Sequence, residues 1–158
     1  MDLPEAALRV AEAARERGLE IDIHLFPEGT KTSADAAAAV GCELSAIAKS
    51  LVFVVDDRPV VVIMSGDLRV DPARLAGALG ASGSRRAGLD EARDATGFAV
   101  GGTPAFGHVT PVEVVIDRSL QRHTEVWSAA GTPTTVYPVR LDDLVEASGA
   151  RWVDVAAD

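Results

Sequence analysis

One cysteine, two lysines and seven aromatic residues are all that 158 positions hold of these types, and each scarcity narrows what the chain can be. With Cys42 alone there is no internal disulfide and no cysteine-based metal site. So few aromatics leave the core to be built from Ala, Val, Leu and Ile, which dominate a hydrophobic share of 47%. Positive charge is also short: 15 Lys and Arg stand against 24 Asp and Glu, for a formal net charge of −9. A chain of that sign does not grip nucleic acid by broad phosphate attraction, so any RNA contact has to be local. Long apolar runs are missing as well. Charges interrupt both Val52–Ile63 and Val112–Ile116, well short of a membrane span. The opening Met1-Asp2-Leu3-Pro4-Glu5 lacks the basic flank and apolar core of a signal peptide. The expectation is a single domain over 1–158, cytoplasmic, free of membrane and metal, and without internal repeats or linkers.

Apolar spacing then lays out the elements. Residues 4–17 carry Leu8, Ala11 and Ala14 on one helical face, with Gly18 as the stop. Ile21, Ile23 and Leu25 alternate with polar residues as a strand, which puts His24 on the solvated face. Ser33 is placed to cap an alanine-rich helix through Val40, ended by Gly41; so little side-chain bulk requires a close neighbour. A short helix at 43–48 leads into a strand from Lys49. Asp56-Asp57-Arg58-Pro59 turns a hairpin into the strand 59–64. Neither Val-rich strand alternates with polar residues, so both faces should be covered. Asp71-Pro72 starts a helix that Gly80 closes, and 89–95 is a further short helix. Between them Arg85-Arg86 is the densest basic point, a solvated pair or a phosphate contact. Strands follow at 112–117, 125–130 and 134–139, with turns at 118–120 and 131–133. A helix at 141–147 and a strand at 151–155 complete an α/β chain.

Two features stand outside this scaffold. Residues 97–108 hold four glycines, Pro104 and His108, too many breakers for a helix or a central strand. Phe98, Val100 and Phe106 nevertheless require burial, which pins this loop to the core and brings bare backbone N–H groups within reach of a ligand. It reads equally as a multiple turn between elements. Half the chain away, Lys49 sits among apolar neighbours from Leu44 to Val55. An ammonium there either snorkels to the surface or faces a carboxylate, backbone carbonyls or a ligand. No Ser-His-Asp or Cys-His set is evident, and Cys42 reads as a small buried residue.

Thr30-Lys31-Thr32-Ser33-Ala34-Asp35-Ala36-Ala37, Gly41 and Ile47-Ala48-Lys49-Ser50-Leu51-Val52-Phe53 resemble the opening of the YbaK/prolyl-tRNA-synthetase-associated editing domain family. Ser65-Gly66-Asp67, Thr96-Gly97-Phe98, residues 101–108, Ile116-Asp117 and Trp127 to Pro133 continue it in order. Each motif is short; their joint order is specific. The resemblance implies a curved, mixed, partly barrel-like sheet surrounded by helices. It also implies an aminoacyl-tRNA deacylase, a hydrolase that removes a small wrong amino acid, such as Cys or Ala on tRNA-Pro, in trans. Its partners would be the aminoacyl-tRNA acceptor end and a synthetase that brings it there; no cofactor is implied. By position, Lys49, Gly101 and Gly102 fall in the catalytic set. Thr32, Ser65, Gly66, Asp67, Thr103, Pro104 and His108 fall in the substrate-binding set, with His108 equally able to shape the loop. Two departures stand out: Ala105 follows Pro104, where many relatives have proline, and Thr134 follows Gly-Thr-Pro, where relatives often have histidine. The alternative reading is a non-catalytic member that binds a tRNA end, a nucleotide or a partner protein.

Overall fold

The fold is known from a computed structural model that describes residues 3–30 and 32–158; Met1, Asp2 and Lys31 of the Thr30–Ala37 stretch lie outside these residues. Helix α1 (Glu5–Glu16) packs Ala7, Val10 and Ala14 inward; of the expected face of Leu8, Ala11 and Ala14 only Ala14 is buried, because the helix turns the Ala7–Val10 side to the core and leaves Leu8 54% exposed. A two-residue strand β1 (His24–Leu25) replaces the longer 21–25 strand. His24 is not simply solvated. It stacks on Phe26 at 6.4 Å and meets Trp127 edge-on at 5.1 Å.

Helix α2 (Ser33–Val40) takes its cap one residue earlier than expected: Thr32 Oγ1, not Ser33, accepts the Asp35 N–H at 3.0 Å. A threonine hydroxyl in extended backbone satisfies one of the orphan amides of the first turn. The buried alanines, Ala36 and Ala37, pack with Ile47 and Val136, and the first residue of the helix lies close on Gly66. A Cβ there would lie 2.6 Å from Leu44 O and 3.0 Å from Ser33 Cβ. The expected 43–48 helix is a single tight turn, Leu44–Ala46.

Strands β2 (Ala48–Val55) and β3 (Arg58–Ser65) form the hairpin, turned by Asp56 and Asp57 at φ of +47° and +68°. Two left-handed residues match the twist of the flanking strands, and aspartate tolerates that conformation better than most side chains. The Asp56 carboxylate then accepts from Ser82 N and Gly83 N, holding the next segment down. Helix α3 (Pro72–Ala78) starts as its cap predicts, with Asp71 accepting from Ala73 N and Arg74 N. Strand β4 (Ser84–Arg86), absent from the sequence reading, pairs with the end of β2. Helix α4 (Leu89–Thr96) and the glycine-rich segment follow, then β5 (Glu113–Asp117), a tight turn at 118–122, β6 (Glu125–Ala129), β7 (Thr135–Arg140), α5 (Leu141–Ser148) and β8 (Arg151–Val153).

The strands make two sheets. One runs β4-β2-β3-β5-β8, antiparallel at the β2–β3 hairpin and parallel through β5 and β8; the other runs β1-β7-β6. A parallel bridge from Ile47 to Trp127 joins them, so the expected curved mixed sheet is two sheets folded against each other along β2 and β6. Both faces of β3 are covered. Val61 and Ile63 join one core with Val52, Val114 and Ile116, while Val60, Val62 and Met64 join another with Phe53, Val55 and Leu75. That is why neither strand alternates with polar residues. No helix among the described residues is long and apolar enough to cross a membrane.

Candidate functional site

Strand β4 covers β2 only at Phe53–Val55, and the bridge to β6 touches only Ile47. Between these points the outer edge of β2 has no strand beside it. Ala87 N donates to Val52 O at 3.0 Å, so alternation along β2 turns the Ser50 amide and carbonyl to the same edge. The gap is a cavity of about 150 Å³. Its walls are β2 from Ala48 to Val52, β6 from Trp127 to Ala129, the start of α2, and Val100, Gly101 and Thr103 of the glycine-rich loop. Lys49 and the loop, half the chain apart in sequence, therefore line one space.

Lys49 is half-buried, and its Nζ donates to Leu68 O at 2.6 Å. Burial is the main cause that lowers its pKa; the guanidiniums of Arg86 and Arg69 add to it, and Asp67 opposes them. An ammonium held by one carbonyl keeps two further N–H groups for a ligand. Arg86 brings a second cation to the same wall. It lies over the Phe53 ring at 5.9 Å, and burial lowers its pKa. Its neighbour Arg85 is spent instead on Glu91, with bonds of 2.7 and 2.8 Å. The fold thus divides the Arg85-Arg86 pair into a surface ion pair and a cavity cation, a division that the sequence does not show.

The loop has two kinds of glycine. Gly101 faces the cavity at φ +95°, a left-handed backbone that other side chains adopt at a cost. Gly102 donates its N–H to Ala99 O at 3.1 Å and lies flat on Thr132, where a Cβ would come within 2.6–2.7 Å of backbone atoms. Its amide is already engaged, so Gly102 holds the loop against the turn before β7. Thr103 is buried on the cavity wall. Pro104 is buried behind it, and His108 Nε2 donates to Pro104 O at 2.8 Å. Burial is the main cause that lowers the His108 pKa, which suits a neutral donor. That histidine borders a separate shallow depression with Arg17 and Phe106, so it braces the loop from outside the Lys49 cavity.

Thr32 lines the cavity, but its hydroxyl is committed to capping α2. Ser65, Gly66 and Asp67 are not on the cavity wall; they form its backing. Ser65 Oγ lies 2.7 Å from both Ser45 O and Asp67 Oδ1, and it accepts from Arg122 Nη2 at 2.8 Å. Arg122 also grips Asp67 at 2.9 Å. That bond is the main reason the Asp67 pKa falls to about 2. The carboxylate in turn favours the ammonium of Lys49. One Ser–His contact escaped sequence reading: Ser45 Oγ and His123 Nε2 are 2.8 Å apart. No carboxylate orients the other nitrogen of His123 among the described residues, and neither residue lines the cavity, so the pair lacks what a nucleophilic triad needs. Among the described residues no group of three or more His, Cys, Asp and Glu could hold a metal ion.

Residues that the sequence reading did not single out complete the walls, chiefly Thr30, Ser50, Trp127 and Ser128. Each lies inside a short motif that carries the family resemblance, but nothing local in the sequence marked it as a cavity residue.

A mixed two-sheet domain whose lysine and glycine-rich loop enclose one small cavity has relatives of the same build. Residues 27–147 match the family model described as the aminoacyl-tRNA editing domain, and the chain belongs to that family. It is 31% identical over 141 residues to the uncharacterised protein YwhH of Bacillus subtilis (strain 168), covering 88% of this chain and 89% of that one. It is also 31% identical over 133 residues to the proline–tRNA ligase of Geobacter sp. (strain M21), covering 84% of this chain but only 23% of the ligase. Among solved structures, a candidate trans-editing enzyme for prolyl tRNA synthetase superposes with a TM-score of 0.93 at 35% identity, over 99% of this chain and 100% of the other.

Proposed function

We propose that this protein is an aminoacyl-tRNA deacylase that acts in trans, hydrolysing the ester between a small wrong amino acid, such as Cys or Ala, and the terminal ribose of tRNA-Pro. The observation that carries the reading is the shared cavity: in a chain of the editing family, Lys49, Gly101 and Thr103 line one space of about 150 Å³. A confined space of that kind is where a small amino acid can be told from a larger one, the logic of a second sieve.

The chemistry assigned to each group follows from what it has free. Water attacks the ester carbonyl, and the neighbouring ribose hydroxyl of the substrate relays the water's proton to the ester oxygen that leaves, because the cavity offers no positioned base of its own among the described residues. The carbonyl oxygen becomes an oxyanion, which Lys49 and the backbone N–H of Gly101 stabilise. Collapse breaks the ester bond, releasing the amino acid and returning the ribose hydroxyl. Gly102, Pro104 and His108 serve by holding the loop in place; Ser65, Gly66 and Asp67 serve by holding Lys49. Arg86 supplies a cation for the terminal phosphate, which gives an acidic protein a local grip on the acceptor end.

The test is hydrolysis of a panel of mischarged tRNAs by wild type and Lys49→Ala, against the spontaneous rate. Acceleration of one or two substrates by the wild type, lost in the variant, is the expected result. A folded wild type that accelerates none refutes the reading.

A further inference from the structure

Three hydroxyls beside the cavity are left without a well-formed hydrogen bond by the fold. Ser50 Oγ, Ser128 Oγ and Tyr137 OH are buried; Ser50 has no partner among the described residues, and Ser128 and Tyr137 approach only each other. Ser128 is 1% exposed and Tyr137 0%. Ser50 and Ser128 line the cavity from facing strands, β2 and β6. Tyr137 stands directly opposite Ser128 in the β6–β7 register, beside it on the same face of the sheet.

Elsewhere the fold satisfies such groups. Thr96 Oγ1 bonds Ala92 O at 2.8 Å, Thr135 Oγ1 bonds Ala130 O at 3.1 Å, and Thr30 Oγ1 bonds Pro133 O at 3.1 Å. Buried polar groups are paired as a rule, and each exception calls for a physical account. Here the exceptions gather at one place: Ser50 and Ser128 on the wall of the space already argued to receive an amino acid, and Tyr137 beside Ser128.

A hydroxyl both donates and accepts and carries no charge. Its best complement in a small cavity is another neutral group that does both. A methyl group in the same place leaves every hydroxyl unpaired, and sites built around hydrogen bonds reject such analogues strongly. From this we infer that Ser50 and Ser128, backed by Tyr137, read the side chain of the amino acid to be removed, selecting a small one that bears a hydroxyl or thiol over its apolar counterpart. The inference rests on the deacylase reading and gives it a substrate class.

Hydrolysis of seryl-, cysteinyl- and alanyl-tRNA-Pro is measured for wild type, Ser128→Ala, Ser50→Ala and Tyr137→Phe. The wild type is expected to favour a hydroxyl or thiol substrate over alanine by about tenfold or more, and Ser128→Ala to cut that ratio by ~10- to 100-fold. Because the replaced hydroxyl has no partner in the fold beyond its approach to Tyr137 OH, the melting temperature of Ser128→Ala should stay close to that of the wild type, which separates lost specificity from lost structure. Tyr137→Phe should move the ratio the same way by less. Hydrolysis of alanyl-tRNA alone, or an unchanged ratio in Ser128→Ala, overturns the inference while the deacylase reading stands. Hydrolysis of nothing overturns the deacylase reading. The hydroxyls are then judged by calorimetry with adenosines that carry seryl or alanyl groups through a 3′-amide: tighter seryl binding, lost in Ser128→Ala, supports them, and equal binding overturns them.

Discussion

Replacing Gly102 by alanine tests whether the glycine-rich loop is a rigid wall. The new Cβ would meet Thr132 N and Cα at 2.6 Å and Thr132 C at 2.7 Å, where ordinary contact begins at 3.4 Å. These are backbone atoms, so no rotamer change relieves the overlap. The 99–103 turn and the 131–134 turn have to part by about 0.8 Å or deform, an overpacking that costs roughly 1–3 kcal/mol. For a domain of this size that lowers the melting temperature by about 2–12 °C. The second consequence concerns the site. Gly101 and Thr103 flank the substituted residue and line the cavity, so they move with it. A displacement near 1 Å at reacting groups costs about 10²-fold in rate, and a loss of ~10- to 100-fold in kcat/KM on the best mischarged tRNA is expected. Thermal unfolding and deacylation by Gly102→Ala, side by side, give both numbers. A variant with the melting temperature and rate of the wild type would falsify the claim that this loop is pinned on Thr132.

The remaining predictions concern charge. Asp67→Asn should lower stability at pH 7 by roughly 1 kcal/mol, since a partly exposed carboxylate–guanidinium pair is screened by solvent and only its added hydrogen bond to Ser65 lifts it to the top of the usual range. The native pKa of Asp67, about 2, lies below the ordinary carboxylate value. Its contribution is therefore complete above about pH 4 and lost as pH falls toward 2. Urea midpoints of both proteins over that range should converge on the acid side; a constant gap means the pair is not the cause. Lys49→Met should leave the fold at least as stable at pH 7. The native pKa of Lys49 lies below its ordinary value, so the unfolded chain holds more protons and wild-type stability rises with pH through the window between the two. Deacylation that depends on the ammonium should correspondingly fall on the alkaline side before an ordinary lysine titrates; a rate that is flat to pH 11 would remove Lys49 from the chemistry.

Much of this was legible in the sequence because it is local. Asp71-Pro72 starts a helix by a side chain reaching two residues ahead. The glycines and proline of 97–108 exclude regular structure whatever surrounds them. The unbroken valines of β2 and β3 announce two covered faces, and Lys49 announces a cation in apolar company. The order of the short motifs pointed to the editing family, to which the chain belongs. Local features do not state how far apart in space two residues lie, or whether a polar group has found a partner. Ser65-Gly66-Asp67 reads as a ligand loop, yet Arg122, 55 residues on, takes its carboxylate. Gly101 and Gly102 are neighbours of one type, but one faces the cavity and the other lies on Thr132. Arg85 and Arg86 are separated only by where Glu91 falls. Ser50 and Ser128 look like ordinary strand serines until β2 and β6 face each other across an edge that no strand fills. Composition and local spacing determined most of the elements and the candidate cation; only the meeting of the two sheets decided which groups share a cavity, because that depends on which long-range partners use up each hydrogen bond and charge.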